Sequence, residues 1–472
     1  MFSLIISIIF LIVGYFTYGK FVERIFGPDD RKTPAYTEGD GVDFVPLKLW
    51  KSYLIQLLNI AGTGPIFGAL MGACFGPIVF VWIVVGCIFG GAVHDYMTGM
   101  ISLRHKGASI AQLSGIYFSN AYKWVMRIFA VVLLILVGTV FVTSPAALLG
   151  IITPDFLNEN FWIIVIFIYY FMATLLPIDK LIGRLYPIFG SVLIIMTIAI
   201  LGGCFVEYNI AIPEISFTNM HPDGLPIWPF MFVTVACGAI SGFHATQSPM
   251  ISKCLEKEKQ GRKVFYGAMI SEGIIALAWA AAGVCFYEST GGLYEALSQF
   301  GQSATVYDIS MGMLGPVGGV LAIIGVVFCP ITSGDTAFRS ARLILAETFN
   351  LRQSALKHRL IIATLLFLIS GLLSLLDFDI LWRYFSWANQ TLAMLALAVF
   401  TTYLLTKKNK WLSLVTAIPC AFMGAVTFTY ILMAPEGFRL DALFAYPAGI
   451  MFAIVIFTYY LYYLRKELKH DA

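Results

Sequence analysis

Five ionisable side chains lie within long apolar runs: His94, Asp95, His244, Glu272 and Asp335. A charge at the centre of a membrane helix costs about 2.5–3.5 kcal/mol even on insertion scales, so such groups carry protons, bind ions or pair with one another. Asp335 and Arg339 are four residues apart and can pair along one helix face. The His94-Asp95 pair and Glu272 are open to the same structural use, and Glu272 is near enough to a basic loop to be hydrated.

Neutral polar groups form the second set. Asn59-Ile60-Ala61-Gly62-Thr63-Gly64-Pro65 interrupts an apolar run of about 50 to 73, and the stretch Gly238 to Pro249 interrupts one of about 227 to 251. Pro65 and Pro249 lack an N–H and would clash with the carbonyls of Ala61 and Ala245, so each is expected to open a new half-helix, capped by Gly64 and Ser248. The start of a half-helix offers unpaired N–H groups and the positive end of its dipole, a seat for a carboxylate. A small organic anion is expected against Gly62, Thr63 and Gly64 from the first break, with Gly242, His244, Thr246, Gln247 and Ser248 from the second; Asn389 and Gln390 could face the same cavity. The alternative is a pair of packing kinks whose polar groups satisfy one another. Hydrocarbon makes an unpaired backbone group cost several kcal/mol, so two breaks in corresponding places favour a site.

A third stretch, Cys329-Pro330-Ile331-Thr332-Ser333-Gly334-Asp335, combines carbonyls freed by proline with two adjacent hydroxyls. Such oxygens suit a hard cation, although Ser and Thr also back-bond within helices.

The elements that position these groups follow from composition. With 472 residues, 59% of them hydrophobic and 12% charged, the chain reads as an all-α polytopic membrane protein. About thirteen transmembrane helices are expected, the second and seventh being the discontinuous ones. Lys and Arg concentrate in alternate loops, as in Lys253, Lys257, Lys259, Arg262 and Lys263, whereas loops 147–159, 207–226 and 287–315 have none. The positive-inside rule then puts the N-terminus outside and the C-terminus in the cytoplasm of a bacterial inner membrane. Spans two and seven run in opposite directions, five spans apart, which is the mark of a 5+5 inverted repeat. The expected division is a peripheral helix and cytoplasmic loop (1–49), a first five-helix repeat (50–225), a second (226–406), and two peripheral helices with a tail (407–472). Gly64, Gly68, Gly72 and Gly76 form a small-residue ridge along which another backbone can approach closely.

Other classes are disfavoured. A net charge of +3, spread over short loops, argues against a nucleic-acid surface. Eight cysteines without a C-x-x-C pair read as free thiols, and no cofactor is expected. There is no H-E-x-x-H or G-x-S-x-G, and Gly14 to Lys20 imitates a phosphate loop but is followed by Phe21, so an enzyme is not expected. The apolar N-terminus reads as a retained helix.

Asn59 to Gly68, Gly90-Gly91-Ala92-Val93-His94-Asp95-Tyr96 and Thr332-Ser333-Gly334-Asp335 together resemble the carbon starvation protein A (CstA) family, along most of the chain. The resemblance implies an uptake system for pyruvate, with peptides as an older proposal, in the amino acid-polyamine-organocation superfamily. It also implies a sodium site, because symporters of that superfamily hold the ion between the first broken helix and the helix corresponding to span nine. By resemblance the carbonyls of Leu58, Ala61 and Cys329 and the hydroxyls of Thr332 and Ser333 would hold sodium. Long family members are regarded as proton-coupled, which would make Asp95, His94 or Asp335 the carriers.

The expected function is a cation-coupled symporter, using sodium or a proton, that imports a small monocarboxylate such as pyruvate by alternating access. The expected partners are a small anionic substrate and the lipid bilayer, with no nucleic acid. A peptide or amino acid transporter, a membrane nutrient sensor and a passive channel are the alternatives.

Overall fold

Within lipid each backbone N–H and C=O must pair inside its own segment, and apolar runs of this length can do so only as helices. The computed structural model describes residues 2–39, 44–175, 178–206, 214–351 and 355–470; the start of the 207–226 loop lies outside them. Among the described residues there is no strand, and one isolated parallel bridge joins Leu47 to Leu255.

The helices are α1 (Phe2–Phe26), α2 (Leu49–Ala61), α3 (Gly64–Ala73), α4 (Ile78–Arg104), α5 (Asn120–Ile152), α6 (Glu159–Leu175), α7 (Ile178–Val206), α8 (His244–Ser252), α9 (Gly267–Phe286), α10 (Thr290–Ile323), α11 (Cys329–Thr348), α12 (Leu356–Leu373), α13 (Phe378–Leu405), α14 (Leu414–Met433) and α15 (Ala442–His470). Among the described residues nine spans are long and apolar enough to cross a membrane, or eleven when the bent pairs α2–α3 and α10–α11 are each counted as one. The short α6 and the interrupted segment ending in α8 account for the other two of the thirteen expected.

The first break is sharp: α2 stops at Ala61, Gly62 takes φ +31°, and α3 leaves at 47° to α2 with Pro65 in its first turn. A positive φ of this kind is tolerated best by glycine. The second break is long. After a short helical piece, residues 235–243 run non-helically through Gly238 (φ +90°), and α8 begins at His244. The expectation that Pro249 opens this half-helix is therefore corrected: Pro249 lies inside α8. The helix can start earlier because Asn389 of α13 takes up its leading amides, the backbone carbonyl accepting from Gly242 N–H (3.1 Å) and Oδ1 from Phe243 N–H (2.7 Å). A proline in the second turn then forfeits only its own bond to Ala245.

The glycine ridge of α3 explains how the breaks meet. A Cβ on Gly64 would come within 2.4 Å of Cys237, one on Gly68 within 3.0 Å of the Thr234 carbonyl, and one on Gly72 within 2.2 Å of Val235. The backbone of the second break thus lies in the groove of α3. Gly76 leaves the ridge, standing in a turn with φ +98° against Met220.

Loop charges pair in two sets. In one, Ser3 N–H donates to Glu214 (3.1 Å), Gln302 to Asp379 (2.9 Å), and Arg383 pairs with Glu436 (3.2 Å). In the other, buried Glu258 accepts from Arg104 (2.7 Å) and from the Asp29 N–H (2.7 Å), tying the segment after α1 to the loop after α8. Arg31, bonded to Asp29, holds that carboxyl well below the usual carboxylate range.

Candidate functional site

The five ionisable residues separate into two groups. His94 and Asp95 on α4, His244 at the start of α8 and Glu272 on α9 join into one chain, each side chain fully buried. His94 Nδ1 meets Asp95 Oδ1 at 2.9 Å, Asp95 Oδ2 meets His244 Nδ1 at 2.8 Å, and His244 Nε2 faces Glu272 Oε2 at 3.5 Å. A single carboxylate therefore holds two imidazoles. Glu272 is not at a hydrated end, as its sequence position suggested, because α9 packs closely against α3 and α4 and seals it from water. Asp335 stands apart on α11, where Arg339 Nη2 lies 3.4 Å from its Oδ2.

At the first break the polar atoms are buried and largely unengaged. Both amide atoms of Asn59 and the Thr63 hydroxyl have no hydrogen-bond partner, and neither have Gln56 Oε1 and Gln247 Oε1. Buried polar groups normally find partners, so this many orphans around one break indicates room for a ligand's hydrogen bonds. Gly62 and Gly64 form the turn itself. The carbonyl and hydroxyl set lies alongside: Ser333 Oγ donates to the Leu58 carbonyl (3.0 Å) and Thr332 Oγ1 to the Cys329 carbonyl (2.8 Å), while Ala61 ends α2 one turn further on.

At the second break most polar groups have partners, His244 Nε2 and Gln247 Oε1 being the exceptions. Gly242 packs against α13 and is bonded to Asn389, Thr246 Oγ1 donates to the Phe243 carbonyl, and Gln247 Nε2 donates to Thr246 Oγ1. Ser248 Oγ accepts from Gln56 Nε2 (3.0 Å), which links the two broken helices directly. Gln390 donates to the Phe232 carbonyl.

Two residues at the site carry no polar pattern that a sequence reading could use. Phe141 of α5 sits against Gly62, where a Cβ would come 2.5 Å from its ring, and packs edge-on against Phe243 with 6.1 Å between ring centroids. It fills the space between the breaks. Three residues along α5, Ser144 lines a vestibule of about 410 Å³ with Gln302, Ser303 and Phe378. The second is Cys237, which touches Gly64 and lies beside His244 and Glu272; a lone cysteine in an apolar run gives no signal of that company.

Known proteins share both the sequence and the fold. The family model for carbon starvation protein CstA matches residues 1–154, 146–298 and 295–430. An uncharacterized membrane protein of Haemophilus influenzae is 45% identical over 340 residues, covering 61% of this chain and 92% of that one. Peptide transporter CstA of Bacillus subtilis is 29% identical over 346 residues, 59% of this chain and 57% of that one, and that of Campylobacter jejuni 29% over 61% and 50%. The chain thus spans about half the length of the CstA transporters it matches. Among solved structures, an Eremococcus coleocola manganese transporter aligns with a TM-score of 0.55 at 14% identity, covering 91% of this chain and 99% of that one, a likeness of fold alone. With the family's model matched over residues 1–154, 146–298 and 295–430, this chain is a multi-pass membrane protein belonging to the carbon starvation protein CstA family.

Proposed function

We propose that the chain is a cation-coupled symporter that imports a small monocarboxylate, pyruvate being the reading favoured, across a bacterial inner membrane with its N-terminus outside. The observation that carries this reading is the set of orphaned polar atoms at the first break, Asn59 and Thr63 above all, next to the start of α3. A carboxylate there would take the free donors of Asn59, Thr63 and the helix start, and would lie in the positive field of α3. The substrate would arrive through the vestibule at Ser144 and displace Phe141, and rearrangement of the two breaks would open the opposite face. Coupling falls to the oxygens of Leu58, Ala61, Cys329, Thr332 and Ser333 for sodium, or to His94, Asp95 and Asp335 for a proton. The cation acts by binding the outward-facing state more tightly, since a ligand shifts an equilibrium only through differential affinity.

Uptake of a peptide or amino acid is the second reading. Its support is the name of the relatives and the carboxylate of Glu272, an acid that an ammonium group could meet near the second break. The test is uptake of labelled pyruvate into proteoliposomes under an inward sodium gradient, an inward proton gradient or neither, with alanine and a dipeptide as competitors. Concentrative uptake under one gradient is expected. In the double variant Thr332→Ala, Ser333→Ala the sodium dependence should disappear while the protein still inserts; dependence retained in that variant removes the sodium assignment.

A further inference from the structure

We infer that Cys237, His244 and Glu272 form a binding site for a divalent metal ion of the zinc class, and that its occupancy holds the transporter closed. Among the described residues this is the one group of three His, Cys, Asp or Glu side chains whose ligand atoms converge: all lie within 4.8 Å of one another, and all three residues are buried. Thiolate, imidazole and carboxylate are the ligand types that zinc prefers, with bonds of about 2.0–2.3 Å. Tetrahedral bonds of that length put neighbouring ligand atoms about 3.4 Å apart. The separation of His244 Nε2 and Glu272 Oε2 is 3.5 Å.

Three further observations point to a ligand. His244 Nε2 and both carboxylate oxygens of Glu272 have no hydrogen-bond partner, although all are buried. His244 Nδ1 lies 2.8 Å from Asp95 and Nε2 faces Cys237 and Glu272; with the proton on Nδ1, Nε2 would present its lone pair to a metal there. This carboxylate–histidine arrangement is the usual outer support of a metal-bound imidazole, and it raises the basicity of the ligating nitrogen. Asn389 Nδ2, 3.6 Å from Cys237 Sγ, supplies a donor that stabilises a thiolate.

Binding a divalent ion releases to solvent the thiol proton and any proton carried by His244 Nε2 or Glu272; the two positive charges then meet one thiolate and one carboxylate, with Asp95 as a further carboxylate one hydrogen bond away. The three ligands come from three elements, Cys237 from the extended part of the second break, His244 from α8 and Glu272 from α9, which the rearrangement of the breaks in the proposed transport would separate. A metal bridging them would clamp the break to the scaffold. Neither the substrate nor the coupling ion of the proposed symport enters this inference.

The test uses the full chain, stripped with a chelator in lipid nanodiscs and titrated with Co²⁺ and then Zn²⁺. One cobalt per chain with a thiolate-to-cobalt charge-transfer band, displaced by zinc, is expected. Cys237→Ser should abolish the band, and Cys237→Ser and Glu272→Gln should each weaken zinc binding at least tenfold at unchanged helix content. Cys237→His, which keeps a ligand, should retain zinc and separates loss of a ligand from loss of fold. In proteoliposomes zinc should inhibit uptake by the wild type, reversibly with chelator, and not by Cys237→Ser. Absence of the band in folded wild type, or unchanged zinc affinity in Cys237→Ser, overturns the site. A cobalt band in protein that takes up no pyruvate leaves the site standing and counts against the symport reading instead.

Discussion

The two breaks solve the same problem in opposite ways. The first is two residues long, turns on Gly62, and leaves Asn59 and Thr63 without partners. The second runs through nine residues and is bonded to its surroundings, with Asn389 capping its amides and Asp95 gripping His244. The first has spare hydrogen-bonding capacity and is suited to take a ligand. The second is wired to α4, α9 and α13, and is suited to pass a change at the breaks into the helices around them.

Three single substitutions, one of them with a compensating second change, sharpen this contrast, in order of expected effect. Asp95→Ala should cost most, about 3–5 kcal/mol, because it removes the common partner of two buried histidines. Lowered thermal stability and loss of uptake together are the expected result, and a variant as stable as wild type would mean that the second break is not held by this chain. Gly62→Ala forces a Cβ into the Phe141 ring at a position of positive φ. Overpacking of this sort costs about 1–3 kcal/mol, and uptake should fall further than stability. Adding Phe141→Ala should recover most of the stability but little of the uptake if the remaining defect is the strained turn at the ligand seat. Asn389→Ala should cost about 1 kcal/mol, the value of a helix cap, and shift the thermal midpoint without abolishing insertion.

Much of the scaffold was legible in the sequence. Apolar runs near 20 residues and the Gly-Pro interruptions are local signals, and they anticipated the spans and both breaks. The spacing of Gly64, Gly68 and Gly72 announced a close backbone contact, which proved to be with Thr234, Val235 and Cys237 of the other break. Local reasoning failed at the start of α8. Pro249 looked decisive because proline forbids a preceding bond, yet Asn389, far along the chain, moved the helix start to His244.

The sequence by itself determined where the chain must be helical and where it cannot continue as a helix, since hydrophobic length and the steric demands of glycine and proline are properties of neighbouring residues. Only the tertiary structure decided which polar groups meet. Asp95 and His244 are 149 residues apart, and Glu272 and Cys237 join them solely because α8 packs on α4 while α9 and the extended break pack on α3. Pairings of that range depend on how whole helices pack, and no local pattern in the chain encodes them.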